Sequence, residues 1–425
     1  MNFVEELKWR GMLNDMTPDT EEHLKNNKVI GYIGFDPTAP SLTIGNLVQI
    51  MILKFFQLHG HTPVVLMGGA TGRIGDPSGR DSERLLKSEI ELDKNLENQR
   101  KQMLKLLDFE SGSNRAVLLN NFDFYKDMNV LTFLRDVGKN ITINYMLSKD
   151  AVKNRLESGL SFTEFSYQLL QAYDFLYLYK NHNCVLQMGG SDQWGNITSG
   201  TEFIRRNIPN AKAYAITTPL LVKSDGKKFG KSEEGNVWLD PSMTSPYKFY
   251  QFFINVDDAM LPKLLRYFSL RSIDEIINLE NENKNNPQFI KRNLAEELTE
   301  RIHGKDAVDS VVRVTDLLFN PKSDAGHLKN LTEDEFVTVT AEIPHFRIER
   351  SALDPGINII ELLSEKSSIV SSKSEARRAI TGNAINLNKL KQQDPNVVIT
   401  PDYLLKEKYI LVENGKKNKS ILEFV

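Results

Sequence analysis

Residues 1–230 predict an α/β domain on a parallel sheet, followed by an α-helical region and a small α+β module. Three features carry this. Short apolar runs alternate with longer helical patterns through the first half; glycine-rich turns follow those runs; and beyond Ser232 the pattern turns helical. The span 29–35 reads as a strand, 44–59 as a helix and 63–67 as a second strand, with Gly60 and Pro63 punctuating the turn between the last two. A further buried strand is expected at 184–188. Gly34, Gly68-Gly69 and Gly189-Gly190 then all stand where strands end, and ligands of open α/β sheets bind outside the carboxyl ends of strands. From 246 to about 319 the pattern is helical, with Ile290, Leu294, Leu298 and Ile302 forming a stripe at four-residue spacing. The expected organisation is a sheet domain over 1–230, a mobile loop and helical domain over 231–320, an irregular connector over 321–356 and a C-terminal module over 357–425.

At 425 residues the chain is long for one ordinary domain, and two or three are the prior. With 40% hydrophobic and 26% charged residues the composition is that of a soluble globular protein. A net charge of −3 argues against a protein that coats DNA non-specifically, yet leaves room for a local basic patch. Cys184 is the single cysteine, so an intrachain disulfide is impossible and a zinc cluster is not expected. The seven histidines are scattered, and no metal site is predicted. No apolar run reaches 18 residues, and residues 1–13 are amphipathic and charged, unlike a signal peptide; a cytoplasmic chain without membrane contact is the expectation.

Residues 36–46 join the first strand to the first helix. Ser41 or Thr43 can cap that helix, whose free N–H groups and dipole favour an anion, and Gly45 admits a flat base or ribose close to the backbone. Taken alone, these residues favour an ordinary capped turn. The span 223–232 carries two glycines and four lysines. Such a loop can close over a triphosphate and neutralise charge on a pyrophosphate leaving group, or it can be a solvated basic loop. Together the two segments resemble the signature motifs of class I aminoacyl-tRNA synthetases, usually His-Ile-Gly-His and Lys-Met-Ser-Lys-Ser. Here they stand as Thr43-Ile44-Gly45-Asn46 and Lys228-Phe229-Gly230-Lys231-Ser232. The first histidine's place is taken by Thr43, a shorter neutral donor, while the Asn46 amide can still donate.

The string Gly189-Gly190-Ser191-Asp192-Gln193-Trp194-Gly195-Asn196 is the most specific in the chain. A glycine pair admits a ligand against the backbone, and Asp192 can accept from both hydroxyls of a ribose. Upstream, Tyr167, Gln171 and Asp174 recur at i, i+4 and i+7 and share one helix face, which means either solvent or a polar pocket.

With these strings in order, the chain resembles the bacterial-type tyrosyl-tRNA synthetases, strongly over 30–240 and more loosely afterwards. The resemblance implies a Rossmann-like catalytic domain in which Thr43, Asn46, Lys228 and Lys231 act in catalysis. Gly34, Asp36, Thr38, Gly45, Gly190, Asp192, Lys228 and Lys231 would bind ATP, a substrate accompanied by Mg²⁺. Tyr167, Gln171 and Asp76 would hold the ammonium of L-tyrosine, Asp174 and Tyr32 its phenolic hydroxyl, and Gln193 would join them. The turn 68–76 presents Asp76, and Arg80 and Arg84 beyond it would lie near the pyrophosphate. The implied reaction makes tyrosyl-adenylate and passes tyrosine to the terminal adenosine of tRNA(Tyr).

At the far end, residues 371–378 open a helix with a serine cap; Lys373 and Arg377 share one face, Ala376 and Ile380 another, and Gly382-Asn383 ends it. This resembles the small RNA-binding module found in a ribosomal protein and at the end of bacterial tyrosyl synthetases. Lys416, Lys417 and Lys419 would extend its phosphate-contacting surface, a solvated charged face being the other reading. The resemblance also implies a homodimer; residues 131–147 are apolar enough for an interface or for a buried core helix.

Overall fold

The structure, a computed structural model, describes every residue except 79–81, 83, 84, 150, 151, 154, 156–158, 225, 233, 234, 321, 322, 416 and 417. Its described residues form two compact units, Met1–Ile302 and His303–Val425.

The first unit is built on a six-stranded sheet of order β1-β6-β5-β2-β3-β4. The strands are β1 (Asp15–Met16), β2 (Ile30–Phe35), β3 (Thr62–Met67), β4 (Val117–Asn120), β5 (Cys184–Gly190) and β6 (Tyr214–Thr218). All neighbours run parallel except β1, which pairs antiparallel with β6 at the edge. The middle strands are near-continuous apolar runs because helices cover both faces of a parallel sheet. Of those helices, α1 is Phe3–Arg10, α2 Ile44–Leu58, α3 Glu89–Leu106, α4 Phe162–His182 and α5 Trp194–Asn207. Helix α2 buries Ile44, Leu47, Val48, Ile50, Met51, Ile52, Leu53, Phe55 and Phe56, too many for one stripe, and is a core helix. From β2 the chain crosses to β3 on one side, whereas from β5 it crosses to β6 on the other. That reversal opens a crevice at the carboxyl ends of β2 and β5.

Three helices of the helical region, α6 (Pro246–Ile254), α7 (Leu261–Phe268) and, up to Ile302, α8 (Pro287–His303), lie in this same unit. Part of the cause is Arg10. Its buried guanidinium donates to the carbonyls of Arg266 at 2.6 Å and Ser269 at 3.1 Å, groups that the end of α7 leaves unsatisfied. Tyr267 adds a bond from its hydroxyl to the Gly11 carbonyl at 2.7 Å.

The next helix, α9 (Lys305–Phe319), starts after Gly304 at φ +93° and belongs to the second unit. The stretch expected as an irregular connector differs from that reading. It holds the helix Ala325–Lys329, then α10 (Glu333–Glu342), then a strand at His345–Ile348. Both helices open with capping boxes, Asp324 with His327 and Thr332 with Glu335, a signal that was present in the sequence as Thr-x-x-Glu.

Two short pairings are Lys231–Ser232 (β7) with Gly235–Asn236 (β8), and Ile357–Asn358 (β10) with Val398–Ile399 (β13). The main sheet of the second unit has order β12-β11-β14-β15-β9. Here β9 is His345–Ile348, β11 Ile385–Leu387, β12 Leu390–Lys391, β14 Tyr409–Asn414 and β15 Asn418–Phe424. Helix α11 (Lys373–Thr381), capped by Ser372, packs Ala376 and Ile380 against Ile385, Leu387, Ile410 and Leu422. Lys373 and Arg377 stay on its exposed side, where Lys373 pairs with Glu365 at 2.9 Å. Lys416 and Lys417 lie outside the described residues. Lys419 does not extend a phosphate-contacting surface. Its ammonium donates to the carbonyls of Leu317 at 3.0 Å and Leu318 at 2.7 Å, beside Lys389, and so neutralises the negative end of α9.

Candidate active site

At the carboxyl ends of β2 and β5 lies a cavity of about 320 Å³. Its lining includes Tyr32, Gly34, Asp36, Thr38, Gly45, Asn46, Asp76, Tyr167, Gln171, Asp174, Gly190, Asp192 and Gln193, all named by the sequence. The three carboxylates Asp76, Asp174 and Asp192 therefore share one cavity, although they come from a turn after β3, from α4 and from a turn after β5.

Tyr32 and Asp36 lie four residues apart on and just past β2, about 13 Å at strand rise, so Tyr32 marks the floor and Asp36 the mouth. Asp174 joins Tyr32 at the floor. Its Oδ1 accepts from the Tyr125 hydroxyl at 2.7 Å and its Oδ2 from the Asn121 amide at 2.9 Å. Burial, with the nearby Asp36 carboxylate, pushes Asp174 up to about 7 against the pull of those two donors. The buried Tyr32 hydroxyl has no partner among the described residues. Burial and the charge of Asp174 hold its phenol well above the usual range. A buried hydroxyl beside a carboxylate, both turned to a cavity, leaves donor and acceptor capacity for a hydroxyl-bearing ligand.

Midway up, Tyr167 donates to Asp36 Oδ2 at 2.9 Å while Thr71 donates to Oδ1 at 2.6 Å. Asp76 accepts from the Gln193 amide at 2.7 Å and from the Ser78 N–H at 2.9 Å. Gln193 in turn accepts from Asn196 at 3.3 Å and Gln171 at 3.5 Å. One polar network thus ties the 189–196 string to Asp76 and to helix α4, and its carboxylates supply acceptors that a cation can meet.

Glycines shape the mouth. A Cβ on Gly34 would meet nothing within 4 Å, and one on Gly45 only the Thr43 hydroxyl at 3.5 Å, so their bareness widens the cavity and relieves no clash. Gly68 is the reverse case, because a Cβ there would stand 2.0 Å from Asp36 Oδ1 and 2.6 Å from Thr71 Oγ1. Gly68→Ala must therefore displace Asp36. We expect a stability loss of about 1–3 kcal/mol, read as a lowered Tm, together with weaker ligand binding at this site.

Burial and the nearby Asp76 hold Asp192 above the ordinary carboxylate range, with the ammonium of Lys228 opposing them. Lys228 and Lys231 do not line the cavity; both are exposed on the segment that passes the start of α2. That segment is pinned between them. Phe229 is buried against Phe252 and Phe253, and Gly230, at φ +87°, would bring a Cβ within 3.2 Å of Ile44. Thr43 also lies outside the lining. Its hydroxyl donates to Asn46 Oδ1 at 2.9 Å in a capping box, which fixes the Asn46 carbonyl and leaves its NH₂ without a partner among the described residues. In the same turn, the Ile44 N–H goes to the Val237 carbonyl, whereas the Gly45 N–H has no acceptor among the described residues. Arg80 and Arg84 lie outside the described residues.

Residues 24–320 match the family described as tRNA synthetases class I (W and Y), and residues 335–422 match the tyrosine--tRNA ligase SYY-like C-terminal domain. Over the full chain there is 51% identity with the tyrosine--tRNA ligase of Cytophaga hutchinsonii, covering 100% of this chain and 99% of the relative. The chain belongs to the tyrosine--tRNA ligase family. It is an aminoacyl-tRNA ligase. The synthetase of Porphyromonas gingivalis is 49% identical over 98% of each chain. Among solved structures, a C-terminally truncated mitochondrial tyrosyl-tRNA synthetase from Aspergillus nidulans superposes with a TM-score of 0.68 at 34% identity, covering 75% of this chain and 94% of its own.

Several lining or supporting groups of this synthetase escaped the sequence reading. Asn121 receives the Ala70 N–H at 2.7 Å and donates to both Thr71 and Asp174, so it braces the turn 68–76 against α4. It sits just past β4, and the strand-end rule would have pointed to it had that short strand been read. Tyr125, Gln49 and Gln187 had no motif around them.

Proposed function

We propose that this chain activates L-tyrosine with ATP, forming tyrosyl-adenylate and pyrophosphate, and transfers the tyrosyl group to the 3′-terminal adenosine of tRNA(Tyr). The observation that carries this is the single cavity with a phenol-and-carboxylate floor at Tyr32 and Asp174 and a bare-glycine mouth at Gly34 and Gly45. In this reading the tyrosine hydroxyl meets Tyr32 and Asp174. Its ammonium sits among Asp76, Tyr167, Gln171 and Gln193, and its carboxylate points toward the mouth. Asp192 takes the ribose hydroxyls, while Gly34, Asp36, Thr38, Gly45 and Gly190 accommodate the nucleotide. The open Gly45 N–H and the Asn46 amide, at the positive end of α2, face developing phosphate charge.

The carboxylate attacks the α-phosphate in line, a step that asks for positioning and charge neutralisation more than for a base. Lys228 and Lys231 act by closing their positive charge onto the pyrophosphate as it leaves. Thr43 contributes by fixing the Asn46 amide through the cap. In this reading Mg²⁺ enters as part of the ATP substrate. The second unit, with Lys373 and Arg377 exposed on α11, and the undescribed Arg80, Arg84, Lys416 and Lys417, complete the candidate contacts with pyrophosphate and tRNA.

Tyrosine-dependent ATP–pyrophosphate exchange followed by charging of a tRNA(Tyr) transcript tests the proposal. Exchange with tryptophan and none with tyrosine would overturn the substrate assignment.

The chain also acts as a homodimer in this reading. Val130, Leu131, Leu134, Ile143 and Phe162 are between 50% and 74% exposed, and large apolar side chains left this open support an interface between two copies. Leu131→Glu with Ile143→Glu should halve the mass found by light scattering; an unchanged mass would place the interface elsewhere.

A further inference from the structure

We propose that Tyr125 is a positioning residue for tyrosine recognition, a two-way hydrogen-bond partner that keeps Asp174 satisfied with or without a proton and so couples capture of a phenol to release of one proton. The inference rests on reading Asp174 as the acceptor of the substrate hydroxyl.

The Tyr125 hydroxyl stands 2.7 Å from Asp174 Oδ1 and 2.8 Å from the Leu170 carbonyl. A phenol has one proton and can both donate and accept. With Asp174 ionised, Tyr125 donates to Oδ1. With Oδ1 protonated, the acid donates to the Tyr125 oxygen, whose own proton turns to the Leu170 carbonyl. Neither Asp174 Oδ1 nor the Tyr125 hydroxyl is orphaned in either state. On the other oxygen, the Asn121 amide can only donate, so it cannot follow the charge.

Groups from several elements face Asp174. Tyr32 faces it from β2, Asp36 from beyond β2, and Tyr125 from the helix Phe122–Tyr125; Tyr167 and Tyr173 share its own helix. Burial and Asp36 favour the acid, and only hydrogen bonds from Tyr125 and Asn121 favour the carboxylate, placing the balance at about 7. The floor is thus divided between acid and carboxylate near neutral pH. An arriving tyrosine keeps its own O–H and donates it to the carboxylate, and the proton of the acid form passes to buffer; no covalent bond of the substrate changes. Binding lowers the Asp174 pKa, so affinity falls as pH drops below about 7 and levels off above it.

Tyr125→Phe removes a donor to the ion and an acceptor for the acid. The bond to the ion is roughly twice as strong as one between neutral groups, so the variant favours the acid and the limb moves upward, by about one pH unit. The experiment is calorimetric titration of the full chain with tyrosine at pH 6.5, 7.5 and 8.5 in phosphate and in Tris, with steady-state KM for tyrosine at the same pH values. Wild-type binding is expected to release protons at pH 6.5 and almost none at 8.5. Tyr125→Phe should raise KM roughly tenfold at pH 6.5, less than about threefold at 8.5, and leave kcat unchanged. A KM change equal at all three pH values, or wild-type binding independent of buffer, would overturn the proposal. The wild-type titration decides it even if the variant does not fold. Asp174→Asn separates the two layers. Unchanged tyrosine KM in that variant removes the reading of the pocket itself, whereas impaired capture with an unmoved Tyr125→Phe limb removes only the coupling.

Discussion

Lys231→Ala should slow tyrosyl-adenylate formation by about 10²–10³-fold while tyrosine affinity stays within about twofold. Lys231 is exposed and outside the cavity, on a short hairpin beside the start of α2, so it makes no contact with the proposed tyrosine seat. Its charge acts where negative charge grows on the departing pyrophosphate, and an interaction made only in the transition state appears in the rate and not in ground-state binding. Single-turnover adenylate formation and equilibrium dialysis with tyrosine make the comparison. Matching losses in both would mean that the loop holds ground-state substrate.

The second large effect is expected at the floor. Asp174→Ala should lower kcat/KM for tyrosine by about 10²–10³-fold, because it deletes an ionic hydrogen bond and leaves one Asn121 amide proton buried without an acceptor, beside a Tyr32 hydroxyl that has no protein partner among the described residues. Phenylalanine should gain less than about tenfold, since those same orphaned groups still face an apolar ring. A pocket built to bond a hydroxyl rejects the analogue lacking it by about 10⁴–10⁵, the order established for this class of enzyme. Pyrophosphate exchange with each amino acid measures both. Tyrosine kinetics unchanged in the variant would take Asp174 out of the pocket.

The sequence made the strands of the crevice readable because they are buried on both faces and end in glycine: expected at 29–35, 63–67 and 184–188, they run Ile30–Phe35, Thr62–Met67 and Cys184–Gly190. Strand β4 is short and only half-buried, so it gave no such signal, and Asn121 beyond it went unread. The face of Tyr167, Gln171 and Asp174 was ambiguous because a polar stripe looks the same whether water or a ligand covers it. Burial resolves this, with Tyr167 and Asp174 buried on a helix whose other face packs apolar residues into the core. Lys419 shows the opposite limit. A lysine in a charged run reads as surface, and only the fold reveals the helix end that it caps.

The break at Gly304 has a practical consequence for dissecting the molecule. A fragment ending at Phe319 would carry a helix whose buried side chains, Val308, Val311, Val314, Leu317 and Leu318, belong to the other half, and would lose the lysines that cap it. Such a piece should be sticky and prone to precipitate, whereas one ending at 302 keeps every group of the cavity and the Arg10 clamp. An amino-acid-activating core, separated from the second unit, is best cut there.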